Sequence, residues 1–121
     1  LFANDLTLWA SWAFEWRGRR IFFGGDTGFL PQFKEIGERL GPFELTLMPI
    51  GAYDEYWAGI HMTPEESLQA HVLVRGHKFL PIHWGTFDLS RHAWDEPLLR
   101  LKRAAGDVPL VLPIPGEAIN L

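Results

Sequence analysis

Hydrophobic and polar positions change their period several times along the chain, and each change marks a predicted element. Residues 6–16, LTLWASWAFEW, are rich in Trp, Phe and Leu with a rough period of two, which is typical of a strand. A tight turn at residues 17–19, RGR, leads into the short apolar segment RIFFG at 20–24, which we interpret as a buried return strand. Together these segments predict a β-hairpin.

Helical spacing of apolar residues follows at 29–40, with a proline in the first turn and Gly41 after the last periodic position. The sequence TPEE opens a second predicted helix over 63–75 as a capping box, with threonine as the N-cap and glutamate three residues later. A third helix is predicted over 95–105, with Asp95 as its N-cap. The pattern therefore contains three helices.

Three further strands are predicted at 43–51, 78–85 and 108–114. The resulting order is β-β-α-β-α-β-α-β, in which strands alternate with single helices. Such an alternation favours an α/β fold with parallel strand pairs joined by right-handed crossovers. Since ligands of these sheets collect beyond the carboxyl ends of strands, the strand tips are where chemistry is expected.

Composition narrows the possible classes. With 121 residues, 47% hydrophobic and 21% charged, the chain is expected to form one globular domain with a heavy aromatic content, including six Trp and nine Phe. The absence of cysteine excludes disulfides and thiolate metal sites. A net charge of −4 without a basic run predicts no nucleic-acid partner.

The ends and apolar runs carry two further expectations. No apolar run approaches the roughly 18 residues of a membrane span, and no segment resembles a signal peptide. We expect a cytoplasmic or peripherally membrane-attached piece. The sequence starts at Leu1 without a methionine and enters a strand-like pattern at once, which suggests part of a longer protein.

Asp26, in GGDTG, follows an apolar strand and precedes a helix. Its local spacing favours a turn or helix-cap role, because Asp and Gly dominate turns. The alternative is a carboxylate ligand at a strand tip. His83, in PIHWG, ends another strand. A histidine at such a position is more often a core residue with its hydrogen bonds satisfied. Two potential metal ligands at strand ends of one sheet, however, strengthen the metal-site interpretation of both. Histidine and carboxylate ligands without thiolate suit Zn, Mn or Fe.

The other histidines are less informative. His61 lies two residues before the second predicted helix, either facing the same cleft or on a surface loop. His71 and His77, in the middle and at the trailing edge of that helix, are interpreted as structural or solvated. His92 precedes the third helix and either packs a loop or orients a ligand or loop.

An aromatic group accompanies the strand tips. Its members either pack a core or lid, or form an apolar wall for a substrate with an apolar portion: Tyr53, Tyr56, Trp57 and Trp84.

Four segments, in this order, resemble one known family: GGDTGF, MPIGAYD, HMTPEES and LPIHWGTFDLSRHAWDEP. They resemble the C-terminal half of the metallo-β-lactamase-fold hydrolases, in the branch that contains N-acylphosphatidylethanolamine phospholipase D. The resemblance covers essentially the whole chain, and GDTG followed by HWGTF is its specific part. It implies a four-layer αββα sandwich. Residues 1–121 would be a partial domain of it, with one mixed sheet and helices on one face.

The resemblance also implies site residues. Asp26 matches the family's metal-bridging aspartate, His83 its final metal-binding histidine, and His61 a histidine close to the substrate that assists catalysis. The implied cofactor is two metal ions, usually zinc, with Mn or Fe possible. The implied mechanism is attack of a metal-bridging hydroxide on a phosphodiester, lactone or amide carbonyl.

One departure is severe, because the family's HxHxDH segment and its next isolated histidine are absent here. Only Asp26 and His83 of the implied metal ligands remain, fewer than zinc sites use. We therefore expect the chain alone to be inactive, and its parent to be a metal-dependent hydrolase acting on a small-molecule or lipid-like substrate. Tyr53, Trp57 and Trp84 are the predicted substrate-binding residues.

Alternatives are a lactonase of the same fold, a non-catalytic α/β fragment, or an unrelated small α/β binding module. A lone half-sandwich would expose a large apolar sheet face. Its expected partner is the missing N-terminal half or a second copy of the chain, which predicts a homo-oligomer.

Overall fold

The computed structural model describes residues 9–120. The bounds of its strands and helices follow in chain order: β1 Trp12–Trp16, β2 Arg19–Phe23, α1 Phe33–Leu40, β3 Phe43–Pro49, α2 Pro64–Leu73, β4 Gly76–Ile82 and α3 Glu96–Ala104. A short 3₁₀ turn, Glu55–Trp57, lies between β3 and α2.

The four strands form one sheet in the order β1-β2-β3-β4. The β1–β2 pair is antiparallel, joined by a turn with positive φ at Arg17 and Gly18, and the β2–β3 and β3–β4 pairs are parallel. The predicted α/β fold with a mixed sheet is thereby confirmed. Parallel pairing places the carboxyl ends of β2, β3 and β4 at one edge of the sheet.

One face of the sheet is covered by the helices. On β2, the ring of Phe22 lies edge-on to that of Phe33 in α1, with 6.2 Å between centroids. The α2 residue His71 contacts Thr46 of β3 and the ring of Phe79 of β4. All five side chains are at most 2% exposed, so the core lies between this face and the helices.

The opposite face carries apolar side chains without a helix over them in the described chain. Strand register puts Trp12, Phe14 and Trp16 on the side away from Phe22, with exposures of 57%, 54% and 65%. We call this surface the open face. Its apolar side chains are Trp12, Phe14, Trp16, Ile21, Phe23, Leu45, Leu47, Leu80 and Ile82.

The predicted last strand, 108–114, is wrong. Within it only Leu110 forms an isolated bridge, to Phe79 of β4, and the remainder is irregular. Pro109 and Pro113 explain the difference, because proline has no N–H to donate to a strand ladder.

Several element boundaries also differ. The first predicted strand, 6–16, is shorter in the structure: residues 9–11 are not strand, and 6–8 lie outside the described residues. The first helix begins at Phe33 rather than 29. The second ends at Leu73, so that His77 lies in β4 instead of at the edge of the helix.

The predicted capping box of α2 is confirmed. Thr63 Oγ1 accepts from the N–H of Glu66 at 3.2 Å, and the Glu66 carboxylate accepts from the N–H of Thr63 at 2.8 Å. Asp95 occupies the N-cap position of α3 but makes no side-chain capping bond. None of the described helices is long and apolar enough to cross a membrane.

Candidate metal centre

Asp26 lies just beyond the end of β2. The N–H of Gly24 still bonds to the carbonyl oxygen of Leu47 at 2.8 Å, and Ser11 Oγ donates to the carbonyl of Gly24 at 2.7 Å. These bonds fix the backbone from which the turn with Asp26 departs. The Asp26 side chain is 51% exposed, so its carboxylate is accessible to a ligand.

His83 lies at the same edge of the sheet, directly after β4, with the end of β3 between it and Asp26. Its φ of 59° is in the left-handed region, which turns the chain sharply out of the strand. The pairing of the adjacent tips continues up to this point, because the N–H of Ile50 donates to the carbonyl of Ile82 at 3.1 Å. The His83 side chain is 30% exposed.

A close backbone approach brings His61 to the same edge. A Cβ on Gly28 would collide with the carbonyl oxygen of Gly59, so a glycine is needed where the Asp26 turn meets the loop before α2. Met62, fully buried, anchors that loop from the other side. His61 is thereby placed against Asp26 by packing between two segments that are distant in sequence.

The three side chains form one cluster. Asp26 Oδ1 lies 2.7 Å from His61 Nδ1 and 3.7 Å from His83 Nε2. The two imidazoles stack with 5.2 Å between centroids and an interplanar angle of 25°. One donor atom from each residue lies within 4.8 Å of the others. The predicted proximity of Asp26 and His83 is observed, with His61 as a third member.

The donor set fits a divalent metal. His61 Nδ1 is buried and makes no hydrogen bond in the described chain, although Asp26 Oδ1 is only 2.7 Å away. A buried polar atom without a hydrogen-bond partner calls for an explanation, and an ion bound at that atom is one. One carboxylate and two imidazoles also match the three protein ligands typical of catalytic zinc sites. The sequence predicted Asp26 and His83 as ligands and His61 as a catalytic histidine, and the cluster geometry is compatible with either role for His61.

A cleft opens beside the cluster, with a volume of about 730 Å³. Asp26 and His61 form part of its wall. The rest is lined by backbone and small residues together with four larger apolar side chains: Trp9, Leu30, Ile36 and Ile60. The arrangement places a polar, metal-competent group at the wall of an apolar groove.

The aromatic residues predicted to bind substrate lie elsewhere. The Tyr53 hydroxyl donates to Glu96 at 2.8 Å, and burial together with this bond raises the pKa of Tyr53 to about 12. The indole N–H of Trp57 donates to the carbonyl of Ala52 at 2.8 Å, and Trp84 packs against the core. None of the three is among the described residues that line the cleft, and their substrate-binding role stays a prediction.

His71 has the structural role expected of it. It is 2% exposed, and its Nδ1 lies 2.7 Å from the hydroxyl oxygen of Thr46. Burial, aided by the charge of His77, lowers the pKa of His71 to about 4. His71 is therefore neutral at physiological pH, and it lies outside the metal-competent cluster.

Two contacts that join the loop after β3 to the loop before α3 were not predicted from the sequence. Arg91 donates to Asp54 at 2.7 Å, and this bond holds the pKa of the Asp54 carboxyl well below its usual range. One residue on, His92 Nε2 accepts from the N–H of Ala52 at 3.1 Å. The sequence signal was limited to the position of His92 before a capped helix, since the two loops are far apart along the chain.

Comparison with known proteins decides the family. A family model described as the beta-lactamase superfamily domain matches residues 2–84. The chain belongs to this superfamily. Its structure is also similar to that of a metallo hydrolase from the archaeon Ignicoccus hospitalis, with a TM-score of 0.62 and 29% identity over 84% of this chain and 41% of that one.

Two curated relatives extend the comparison. An uncharacterized protein of Mycobacterium tuberculosis is 47% identical over 98% of this chain and 33% of its own length. An N-acyl-phosphatidylethanolamine-hydrolyzing phospholipase D of Caenorhabditis elegans is 44% identical over 78% of this chain and 28% of its own length. The chain thus spans about a third of the length of these two relatives. The resemblance to the metallo-β-lactamase-fold hydrolases, stated from the motifs, is confirmed.

Proposed function

We propose that this chain supplies part of the metal site and of the substrate cleft of a metal-dependent hydrolase that cleaves phosphodiesters of lipid-like substrates. One observation carries the proposal: Asp26 and His61 lie in the wall of an apolar cleft and form one metal-competent cluster with His83. The similarity to the phospholipase D of C. elegans supports the phosphodiester over the lactone alternative.

The residues take distinct roles in this proposal. Asp26 and His83 would hold the cation, and the second oxygen of the Asp26 carboxylate would be available to another ion held by other parts of the parent protein. When bound, the metal would activate water and neutralise charge on the substrate. Zinc suits this donor set, with manganese and iron as alternatives.

His61 is the proposed catalytic residue. It lines the cleft and at the same time lies 2.7 Å from Asp26, so one ring connects substrate space with the metal-binding carboxylate. From there it can exchange a proton with a substrate or leaving group, the usual task of a positioned imidazole.

The apolar cleft wall points to the substrate class. Trp9 is 77% exposed and Ile60 59%, values high enough for both to contact an incoming ligand. A hydrocarbon portion bound against them would leave the polar head group beside Asp26 and His61.

The open face is proposed to be covered by a second sheet from the part of the parent protein that this chain does not span. The chain covers only about a third of the length of its M. tuberculosis relative, and Trp12 and Trp16 are more than half exposed. Without that cover, we expect the chain to self-associate through the open face and to lack activity.

The test uses the protein as expressed from its own gene, with Asp26→Ala, His83→Ala and His61→Ala, and exposed His77→Ala as the matched control. Metal content is measured by mass spectrometry, and hydrolysis is measured with an N-acylated phospholipid and with a lactone. We expect Asp26→Ala and His83→Ala to lose metal and rate. His61→Ala should keep metal and lose roughly a hundredfold in rate.

Retention of both metal and rate in Asp26→Ala and His83→Ala contradicts the proposal. Hydrolysis of the lactone alone would replace the phosphodiesterase assignment with the lactonase one. Loss of metal in His61→Ala would make His61 a ligand instead of a proton carrier.

A further inference from the structure

We propose that His92 is a positioning residue for His83, and that it acts through the backbone of Gly51 and Ala52. This inference rests on the proposed function only in taking His83 as a metal ligand. His92 lies outside the metal-competent cluster, and the catalytic roles proposed above do not use it.

The hydrogen bonds of His92 define one neutral tautomer. Its Nε2 lies 3.1 Å from the backbone nitrogen of Ala52, and a backbone N–H can only donate, so Nε2 is the acceptor. The proton therefore sits on Nδ1, which is 2.9 Å from the carbonyl oxygen of Ala93. The ring also stacks on Tyr53, with 4.4 Å between centroids. Both nitrogens and one ring face are engaged.

Ala52 is held in an unusual backbone conformation by two side chains. Its φ of 62° is in the left-handed region, which is unfavourable for a residue with a Cβ and persists only where surroundings enforce it. His92 binds the N–H of Ala52, and the indole N–H of Trp57 binds its carbonyl at 2.8 Å. Every backbone polar group of Ala52 is thus tied to a side chain.

Gly51, the residue before Ala52, packs directly on the turn with His83. A Cβ at Gly51 would collide with the carbonyl oxygen of His83 and crowd Trp84. His83 has a φ of 59°, so two left-handed residues, Ala52 and His83, lie on either side of this contact. A shift at Ala52 would therefore be transmitted through Gly51 to the backbone that aims the His83 imidazole.

The direction of that imidazole matters because His83 Nε2 lies 3.7 Å from Asp26 Oδ1. The segment with His92 is also anchored by the ion pair of Arg91 with Asp54, but that pair reaches the loop two residues beyond Ala52. His92 contacts the loop one residue away from the Gly51–His83 contact, which makes it the more direct support.

Two substitutions of His92 distinguish the role of its Nε2 acceptor from that of its aromatic ring. His92→Phe keeps an aromatic ring for Tyr53 and loses the acceptor; His92→Gln keeps an acceptor and loses the ring. Amide exchange at Ala52 and the resonances of His83 are followed by NMR, Zn²⁺ affinity by calorimetry, and the free energy of unfolding by urea titration.

We expect His92→Phe to speed exchange at Ala52 by about tenfold, to move the His83 resonances and to weaken Zn²⁺ binding by about tenfold or more. His92→Gln should restore most of each quantity. Trp57→Phe, which removes the donor to the Ala52 carbonyl, should move the His83 resonances in the same way and serves if a His92 variant fails to fold.

Unchanged His83 resonances in both His92→Phe and Trp57→Phe would overturn the inference. Identical behaviour of His92→Phe and His92→Gln would also overturn it, because the inference requires the hydrogen-bond acceptor that only His92→Gln keeps. If the unmutated protein binds no Zn²⁺, the metal-dependent function fails, while the His83 resonances still decide whether His92 positions that residue.

Discussion

The two faces of the sheet carry similar residues in opposite environments. On the helix-covered face, Phe22 and Phe79 are 2% and 0% exposed, whereas Trp12 and Trp16 on the open face are 57% and 65% exposed. Side chains of the two faces alternate along the same strands, so the strand propensity of the residues does not determine which face is covered. Among residues 9–120, helices thus cover one face of the sheet only.

The most apolar segments of the sequence therefore do not all contribute to the buried core. The Trp-rich segment that forms β1 contributes exposed surface, and the helix-covered core is built mainly from Phe, Leu and Met. Comparison of the two faces yields four predictions, in order of their expected effect on the free energy of unfolding.

The largest difference is expected between two phenylalanines in strands. Phe79→Ala would leave a cavity on the helix-covered face and lower the free energy of unfolding by about 3–5 kcal/mol. Phe14→Ala, at an exposed position of the open face, should lower it by less than about 1 kcal/mol. Urea unfolding at concentrations where the chain is monomeric measures both, and equal losses would mean that the open face is packed.

The pH dependence of stability should be set partly by His71 on the helix-covered face. Folding lowers its pKa from 6.5 to about 4, so between these values the unfolded state binds more protons and stability falls as pH falls. The loss should reach about 3 kcal/mol, at 1.36 kcal/mol per pKa unit.

Urea midpoints between pH 7 and pH 4 test this. His71→Gln should flatten the curve in that window. His77→Gln, which removes only the smaller charge contribution to the lowered pKa of His71, should flatten it slightly. A curve for His71→Gln with the same slope as the unmutated protein would rule out this origin.

The cover of the sheet depends on the start of α2. Thr63→Ala removes the cap bond to the Glu66 N–H and should lower stability by about 1 kcal/mol. Asp95→Ala at the start of α3 is the matched control and should have almost no effect, because Asp95 makes no capping bond. Thermal unfolding of the two variants checks the difference, and equal shifts would contradict it.

The smallest stability effect is expected for a charge on the open face. Trp16→Lys should change the free energy of unfolding by no more than about 0.5 kcal/mol and should weaken self-association at least tenfold. Leu99→Lys, at an exposed position of α3, is the control on the helix side. Sedimentation velocity measures association, and a monomeric unmutated chain would contradict self-association through the open face.

Local signals were sufficient for much of the fold. The capping box at Thr63 and the hairpin turn at 17–19 were predicted and are present, because each depends on residues a few positions apart. The last strand, 108–114, failed because its apolar pattern outweighed Pro109 and Pro113 in the prediction. A proline lacks the backbone N–H that a paired strand donates, so an apolar pattern that contains prolines does not by itself predict strand pairing.

The candidate site divides in the same way. Asp26 and His83 were found from their positions after apolar strands, and the parallel pairing of β2, β3 and β4 puts both tips at one edge of the sheet, with the β3 tip between them. The contact of His61 with Asp26 depends on Gly28 meeting Gly59, a backbone approach that no local pattern records.

By itself the sequence determined the alternation of strands and helices, the helix cap at Thr63 and the carboxylate and imidazole at two strand tips. Only the tertiary structure decided which sheet face is covered, that His61 joins Asp26, and that His92 binds the backbone of Ala52. The physical reason is the distance along the sequence between the interacting residues. Caps and turns are satisfied within a few residues, whereas burial and loop contacts depend on segments that meet only after the chain has folded.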